Sequence, residues 1–131
     1  MSSENFVLIV TDENDSINQI AQILKSTLEA CNYDVQICCA NDFEGTDLLR
    51  SSAFFMGCNT PNPDSFSYIQ EILDHINLAS RRCGIFSVNE EALKYLRDIL
   101  NDSEAVCKEL LFVNEKTDEP AVEKWAKEIL G

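Results

Sequence analysis

The chain has 131 residues, 45% of them hydrophobic, with 23 acidic against 10 basic side chains, six Cys, four Gly and three Pro. That length suits one compact domain, residues 1–131, which buries roughly two thirds of the surface its unfolded chain exposes and needs neither metal nor disulfide to fold. A net charge of -13 and a pI near 4.2 exclude nucleic acid and anionic membranes as partners, since an approaching phosphate meets a repulsive field; basic proteins or metal ions suit it better.

Glu4 stands where a signal peptide would be positive, and the apolar run Phe6 to Val10 is too short to span a bilayer, so a cytoplasmic location is expected. None of the six Cys (31, 38, 39, 58, 83, 107) forms a C-x-x-C pair. Most lie beside β-branched or aromatic residues and read as buried thiols acting as small apolar side chains.

Phe6-Val-Leu-Ile-Val10 reads as a strand covered on both faces, and it stops at the polar stretch Thr11 to Ser16. A helix follows, capped by Asn14 or Asp15, with Ile17, Ile20, Ala21, Leu24 and Leu28 at helical spacing. Tyr33 to Ala40 alternates as a strand near a sheet edge. The connection Asn41 to Ser52 contains Gly45 and has room for a turn or two of helix around Thr46 to Arg50. Ala53 to Gly57 is a second fully apolar strand, and Cys58-Asn-Thr-Pro-Asn-Pro-Asp64 is a loop. Asp64 or Ser65 is expected to cap the next helix, whose stripe is Phe66, Ile69, Ile72, Leu73 and Ile76. Cys83 to Val88 is the fourth strand, and Asn89 caps a helix carrying Leu93, Leu96, Ile99 and Leu100. Leu110 to Val113 is the fifth strand; Pro120 marks the start of a last helix with Val122, Trp125, Ala126, Ile129 and Leu130 inward. Five strands alternating with about five helices predict an α/β fold of three layers, a five-stranded parallel sheet in the order 2-1-3-4-5 with helices on both faces. Ligands of such sheets bind at the carboxyl ends of strands 1, 3 and 4.

The loops at those ends carry a resemblance. Met56-Gly57-Cys58-Asn59-Thr60, Asp64-Ser65-Phe66, Cys83-Gly-Ile-Phe-Ser87 and the Trp-containing helix Trp125 to Ile129 resemble the corresponding parts of flavodoxins, and the similarity runs over nearly the whole chain. Flavodoxins are small acidic carriers that hold FMN and pass electrons between redox proteins. The resemblance implies an electron carrier or binding module rather than a catalyst, with basic or redox proteins as partners. If FMN binds, Thr11, Asn14, Ser16, Asn59, Thr60, Ser87 and Asn89 occupy the cofactor-binding positions.

The sequence departs from the family at those positions. The family cradles the FMN phosphate in a [ST]-x-T-G-x-T loop, whose hydroxyls and Gly let backbone N–H groups converge at a helix N-terminus. Here that stretch is Thr11-Asp12-Glu13-Asn14-Asp15-Ser16; Glu13 replaces the central Thr and Asn14 the Gly, with a left-handed Asn14 able to keep the turn. A carboxylate about 5 Å from a phosphate charge costs about 3 kcal/mol at an effective dielectric of about 20. Restoring Thr and Gly at Glu13 and Asn14 is therefore expected to strengthen FMN binding. Pro61 and Pro63 crowd the loop after strand 3, and Ser87-Val-Asn-Glu-Glu91 passes almost directly into a helix, leaving neither Trp nor Tyr at either place to stack on a flavin. Tyr68 and Tyr95 belong to helices.

Two readings follow. In the preferred one the domain has lost tight FMN binding and works as an acidic protein-interaction module; in the alternative it remains an FMN electron carrier. A third candidate is a response-regulator receiver domain, which Val7-Leu-Ile-Val-Thr-Asp-Glu13, Ser87 and Lys116 resemble, but Met56-Gly57-Cys58 lacks the phosphoacceptor Asp. His75, beside Asp74 in a helix, has no convergent partner for general-base work. Cys58 sits at a loop where its thiol could be exposed, with acidic surroundings raising its pKa. Neither catalytic nor metal-ligating residues are assigned, and the oligomeric state is left open.

Overall fold

The computed structural model describes residues 6–12, 14–40, 45–61, 63–73, 82–100, 106–113 and 118–130. Its strands are β1 (Phe6–Thr11), β2 (Asp34–Cys39), β3 (Ala53–Gly57), β4 (Arg82–Ser87) and β5 (Val106–Phe112). They form one parallel sheet in the order β2-β1-β3-β4-β5. Every residue of β1 and β3 is buried, because helices cover the sheet on both sides and leave no solvated face for a polar side chain. The edge strand β2 alternates instead, with Val35 inward and Asp34 and Gln36 exposed.

One layer, α1 (Asp15–Ala30) and α5 (Glu119–Leu130), packs Ile17, Ile20, Leu24, Leu28, Val122, Trp125 and Ile129 against Val7, Ile9, Phe55 and Phe86. The other holds α2 (Gly45–Arg50), α3 (Ser67–Leu73) and α4 (Glu90–Leu100), which place Leu48, Ile69, Leu73, Leu93, Leu96 and Leu100 over Leu8, Val10, Phe54, Met56 and Ile85. Alternate residues of each central strand thus feed opposite cores. Helix α1 ends through Asn32 at φ 71°, a left-handed residue that lets the Tyr33 N–H reach the Leu28 carbonyl (3.0 Å).

Two expected boundaries are corrected. Strand β5 begins at Val106 rather than Leu110, because Val106 and Cys107 pair with Arg82 and Cys83 of β4 across a register shift. The stretch Val-Cys-Lys-Glu has no apolar run of its own, so that pairing, remote in sequence, decides it. Helix α3 is preceded by a 3-10 turn, Asp64–Phe66, whose N-cap position is Pro63 rather than Asp64 or Ser65 and carries no side-chain cap hydrogen bond. Ile76 lies outside the described residues.

Trp125 lies against Phe55 (ring centroids 5.3 Å apart) and Phe86 (6.2 Å), and its buried Nε1 has no hydrogen-bond partner among the described residues. Trp125→Phe removes that unsatisfied donor while opening a small void, two opposed effects of similar size. It is expected to change stability by about 1 kcal/mol or less, measured by urea unfolding followed by circular dichroism.

Candidate functional site

The parallel register brings Thr11, Gly57 and Phe86 level at the carboxyl ends of β1, β3 and β4, so the three following loops meet at one end of the sheet. Thr11 is buried, and its Oγ1 donates to Asn18 Oδ1 of α1 (3.0 Å). Asn14 caps α1; its Oδ1 accepts from the amides of Ser16 (3.0 Å) and Ile17 (3.3 Å), and its carbonyl accepts from the Asn18 amide (2.8 Å). With φ -70° and ψ 137°, Asn14 is an extended N-cap rather than a left-handed turn residue, which corrects the expected loop geometry. Its side chain takes the very amides that a phosphate at this helix end would use.

Asp12 closes the rest. Its Oδ1 accepts from the Asn14 amide (3.1 Å) and its Oδ2 from the Asn59 amide (2.7 Å), so one carboxylate ties the loop after β1 to the loop after β3. From sequence Asp12 stands out as one of several charges unsuited to a phosphate, and with Glu13 as a would-be magnesium ligand of a receiver domain, but not as a bridge between loops. The Asp-x-Asn spacing was the available signal, because an Asp side chain readily accepts from the backbone N–H two residues on. Glu13 lies outside the described residues, as do His75 and Lys116.

The loop after β3 is tied in turn to β4. Ser87, fully buried, donates from Oγ to the Cys58 carbonyl (2.6 Å) and accepts from the Asn89 amide (3.0 Å). Asn89 Oδ1 accepts from the Glu91 amide (2.9 Å) and so opens α4, with Val88 and Asn89 alone between β4 and that helix. Of the seven positions singled out from sequence, Thr11, Asn14, Ser87 and Asn89 therefore use their side chains within the protein. Asn59 is held through its backbone, and Ser16 and Thr60 are exposed. Tyr68 is exposed on α3; Tyr95 of α4 packs edge-on against Phe66 (6.2 Å) and takes a hydrogen bond from Gln70 Nε2.

Cys58 is buried rather than exposed at its loop, since its side chain joins the core beneath α3 and α4. Burial pushes its thiol from 9.0 up to about 12, and the Asp12 carboxylate adds in the same direction. Cys31, by contrast, is exposed, and Cys38 and Cys39 are half-buried, so fewer Cys are core residues than expected. At pH 8, iodoacetamide is expected to label Cys31 and leave Cys58 unmodified, as peptide mass mapping reads directly. The unfolded chain releases the Cys58 proton from about pH 9 and the folded chain only near 12, so stability falls through that window, by about 1.4 kcal/mol per pH unit from this thiol.

Among the described residues the charge around the site is of one sign. Asp12, Asp15, Asp64, Glu90, Glu91, Asp118 and Glu119 all stand in the loops or first helical turns at the carboxyl end of the sheet. Lys25, Arg50, Lys94, Arg97, Lys124 and Lys127 lie further along their helices, and Arg82 opens β4 at the opposite end. Acidic groups in first turns also complement the helix dipoles. Among the described residues no cluster of His, Cys, Asp and Glu could hold a metal ion, and no helix is long and apolar enough to cross a membrane.

No protein-family model and no curated protein sequence matches the chain. Solved structures do. A flavodoxin of Streptococcus pneumonia TIGR4 superposes with a TM-score of 0.82 at 18% identity, covering 95% of this chain and 97% of that one. A short-chain flavodoxin associated with a non-canonical PDU bacterial microcompartment gives 0.78 at 14% identity, with 95% of each chain covered. A flavo di-iron protein of Thermotoga maritima gives 0.80 at 11% identity; 98% of this chain matches 36% of that one. Strand order, helix placement and nearly complete mutual coverage agree, and the chain has the flavodoxin fold.

Proposed function

We propose that this flavodoxin-fold domain is a binding module without tightly held FMN, one that docks a basic or redox partner protein through the acidic carboxyl end of its sheet. The observation that carries this reading is the internal use of the loop donors. The amides of Asn14 and Asn59 go to Asp12, and those of Ser16 and Ile17 go to Asn14, so the residues present do not fit the FMN phosphate. A phosphate entering there would have to displace a carboxylate that repels it and a cap that already satisfies the helix end. The two-residue connection after β4 and the engagement of the Ser87 hydroxyl with Cys58 leave the flavin ring equally unsupported.

The acidic end of the molecule suits a partner rather than a catalytic role. Its carboxylates create a one-signed field that steers a basic surface into contact, with an association rate that falls as salt rises. A phosphorelay role finds no support, since Gly57 and Cys58 stand at the end of β3 where an acyl-phosphate acceptor would be needed.

The alternative, an FMN electron carrier using Thr11, Asn14, Ser16, Asn59, Thr60, Ser87 and Asn89, draws its support from the whole-length match to flavodoxins. Titration of FMN with the purified protein, followed by flavin fluorescence, separates the two. Fluorescence unquenched at micromolar protein is the expected result. Binding at micromolar FMN or tighter would replace the proposal by the electron-carrier reading.

A further inference from the structure

The two edges of the sheet expose different side chains among the described residues, although β5 also carries Lys108 and Glu109 in its first half. Strand β2 presents the polar pair Asp34 and Gln36, whereas β5, the other edge, presents Leu110 and Phe112, which are 39% and 38% exposed. Their neighbours Leu111 and Val113 pack into the core on the α1 and α5 side, so the alternation of a strand puts Leu110 and Phe112 on the α4 side. Among the described residues no strand pairs with the outer side of β5. An open edge bearing large apolar side chains invites pairing with another strand, and folded domains ordinarily blunt such edges with charge.

Helix α4 supplies the second half of the surface. Tyr95 faces α3, where it meets Phe66 and Gln70, and the buried Leu96 faces the sheet. At 100° per residue, Glu90 and Arg97 fall on the flank opposite Tyr95, overlooking β5, with Lys94 between them toward solvent. All three are exposed, and the ion pairs among the described residues, Lys25 with Glu29 and Arg50 with Asp47, involve none of them. The flank thus carries an acid at the start of the helix and a base two turns later.

We infer that this face binds a second copy of the chain. A two-fold axis perpendicular to the sheet sets β5 antiparallel to the partner's β5 and keeps both copies of α4 on one face. Helix α4 is seated over β4 and touches β3 as well as β5, so with a strand spacing of about 4.8 Å the two helices stand about 14 Å apart, and Leu110 and Phe112 of both copies fill the gap between them. Antiparallel α4 helices place Glu90 of each copy opposite Arg97 of the other, a self-complementary pattern that satisfies an isologous interface. The same operation points the two acidic carboxyl ends in opposite directions, so the most acidic ends of the two copies do not face one another.

Sedimentation equilibrium of the intact chain from about 10 µM to about 1 mM tests this. The expected result is a concentration-dependent shift toward twice the 14.8 kDa chain mass. Leu110→Lys with Phe112→Lys should keep the protein monomeric, with far-ultraviolet circular dichroism unchanged because both side chains are already partly in water. Arg97→Glu should weaken the dimer about tenfold, and adding Glu90→Arg to it should restore the lost affinity, since the pair is then reversed on both copies. A monomer across the whole range would overturn the inference. So would a dimer undisturbed by lysines at positions 110 and 112, or a double charge reversal that restores nothing.

Discussion

A chain carrying Asp12→Ser and Asn14→Gly is expected to bind FMN about two orders of magnitude more tightly than the parent, as read by flavin fluorescence titration. The gain has two sources. Removing Asp12 takes away a carboxylate that would stand within about 5 Å of a phosphate charge, worth about 3 kcal/mol at an effective dielectric of about 20. It also releases the Asn14 and Asn59 amides, while Asn14→Gly uncovers those of Ser16 and Ile17. The variant also gives up stability. Asp12 accepts two amide hydrogen bonds as a charged group, so its loss is expected to cost about 2 to 4 kcal/mol in urea unfolding without flavin. Asp15→Ser is the control: that side chain is exposed, and its removal should change FMN affinity far less. Unchanged affinity in the double variant would place the limiting defect in the short connection after β4.

A loss of stability of similar size is expected from Gly57→Ala. Gly57 ends β3 directly beside Phe86 of β4, and a Cβ there would lie 2.3 Å from the Phe86 ring. That ring is fully buried and packs on Trp125, so it has no room to withdraw. Overpacking of this kind costs about 3 kcal/mol, which chemical denaturation detects as a lower midpoint with an unchanged slope. Adding Phe86→Leu should relieve the clash, so the two substitutions together should cost less than the sum of their separate effects by about 1 kcal/mol or more. Additive costs would show that the ring is not what excludes the methyl group.

The two glycines of the central strands share one physical reason. A Cβ at Gly84 would meet the Phe55 ring at 2.7 Å and the Trp125 ring at 2.9 Å, so the absence of a side chain at position 84 is what seats α5 on the sheet. In the sequence these residues look like gaps in apolar runs. In the fold they are the places where an aromatic ring crosses the backbone.

Where function is concerned, the sequence was informative about charge and silent about geometry. The acidic stretch from Asp12 to Asp15 stood out as unsuited to a phosphate, with most weight on Glu13 and Asn14. The geometry moves the weight to Asp12, whose carboxylate bridges two loops that are 47 residues apart in sequence. Cys58 shows the same limit, because its place after β3 suggested exposure while α3 and α4 close over it.

The order of strands and helices, the two fully covered strands, a cap of α1 at Asn14 or Asp15, the Asn89 cap and the acidic helix starts were all legible in the sequence itself. Each rests on residues close together in the chain, through periodicity, capping or the helix dipole. Only the tertiary structure decided that β5 begins at Val106, that Asp12 satisfies the amides of two loops, that Cys58 is buried and that Leu110 and Phe112 stand at an open edge. Each of those depends on which segments of the chain become neighbours, and hydrogen-bond partners and solvent access are set by that juxtaposition rather than by any local pattern.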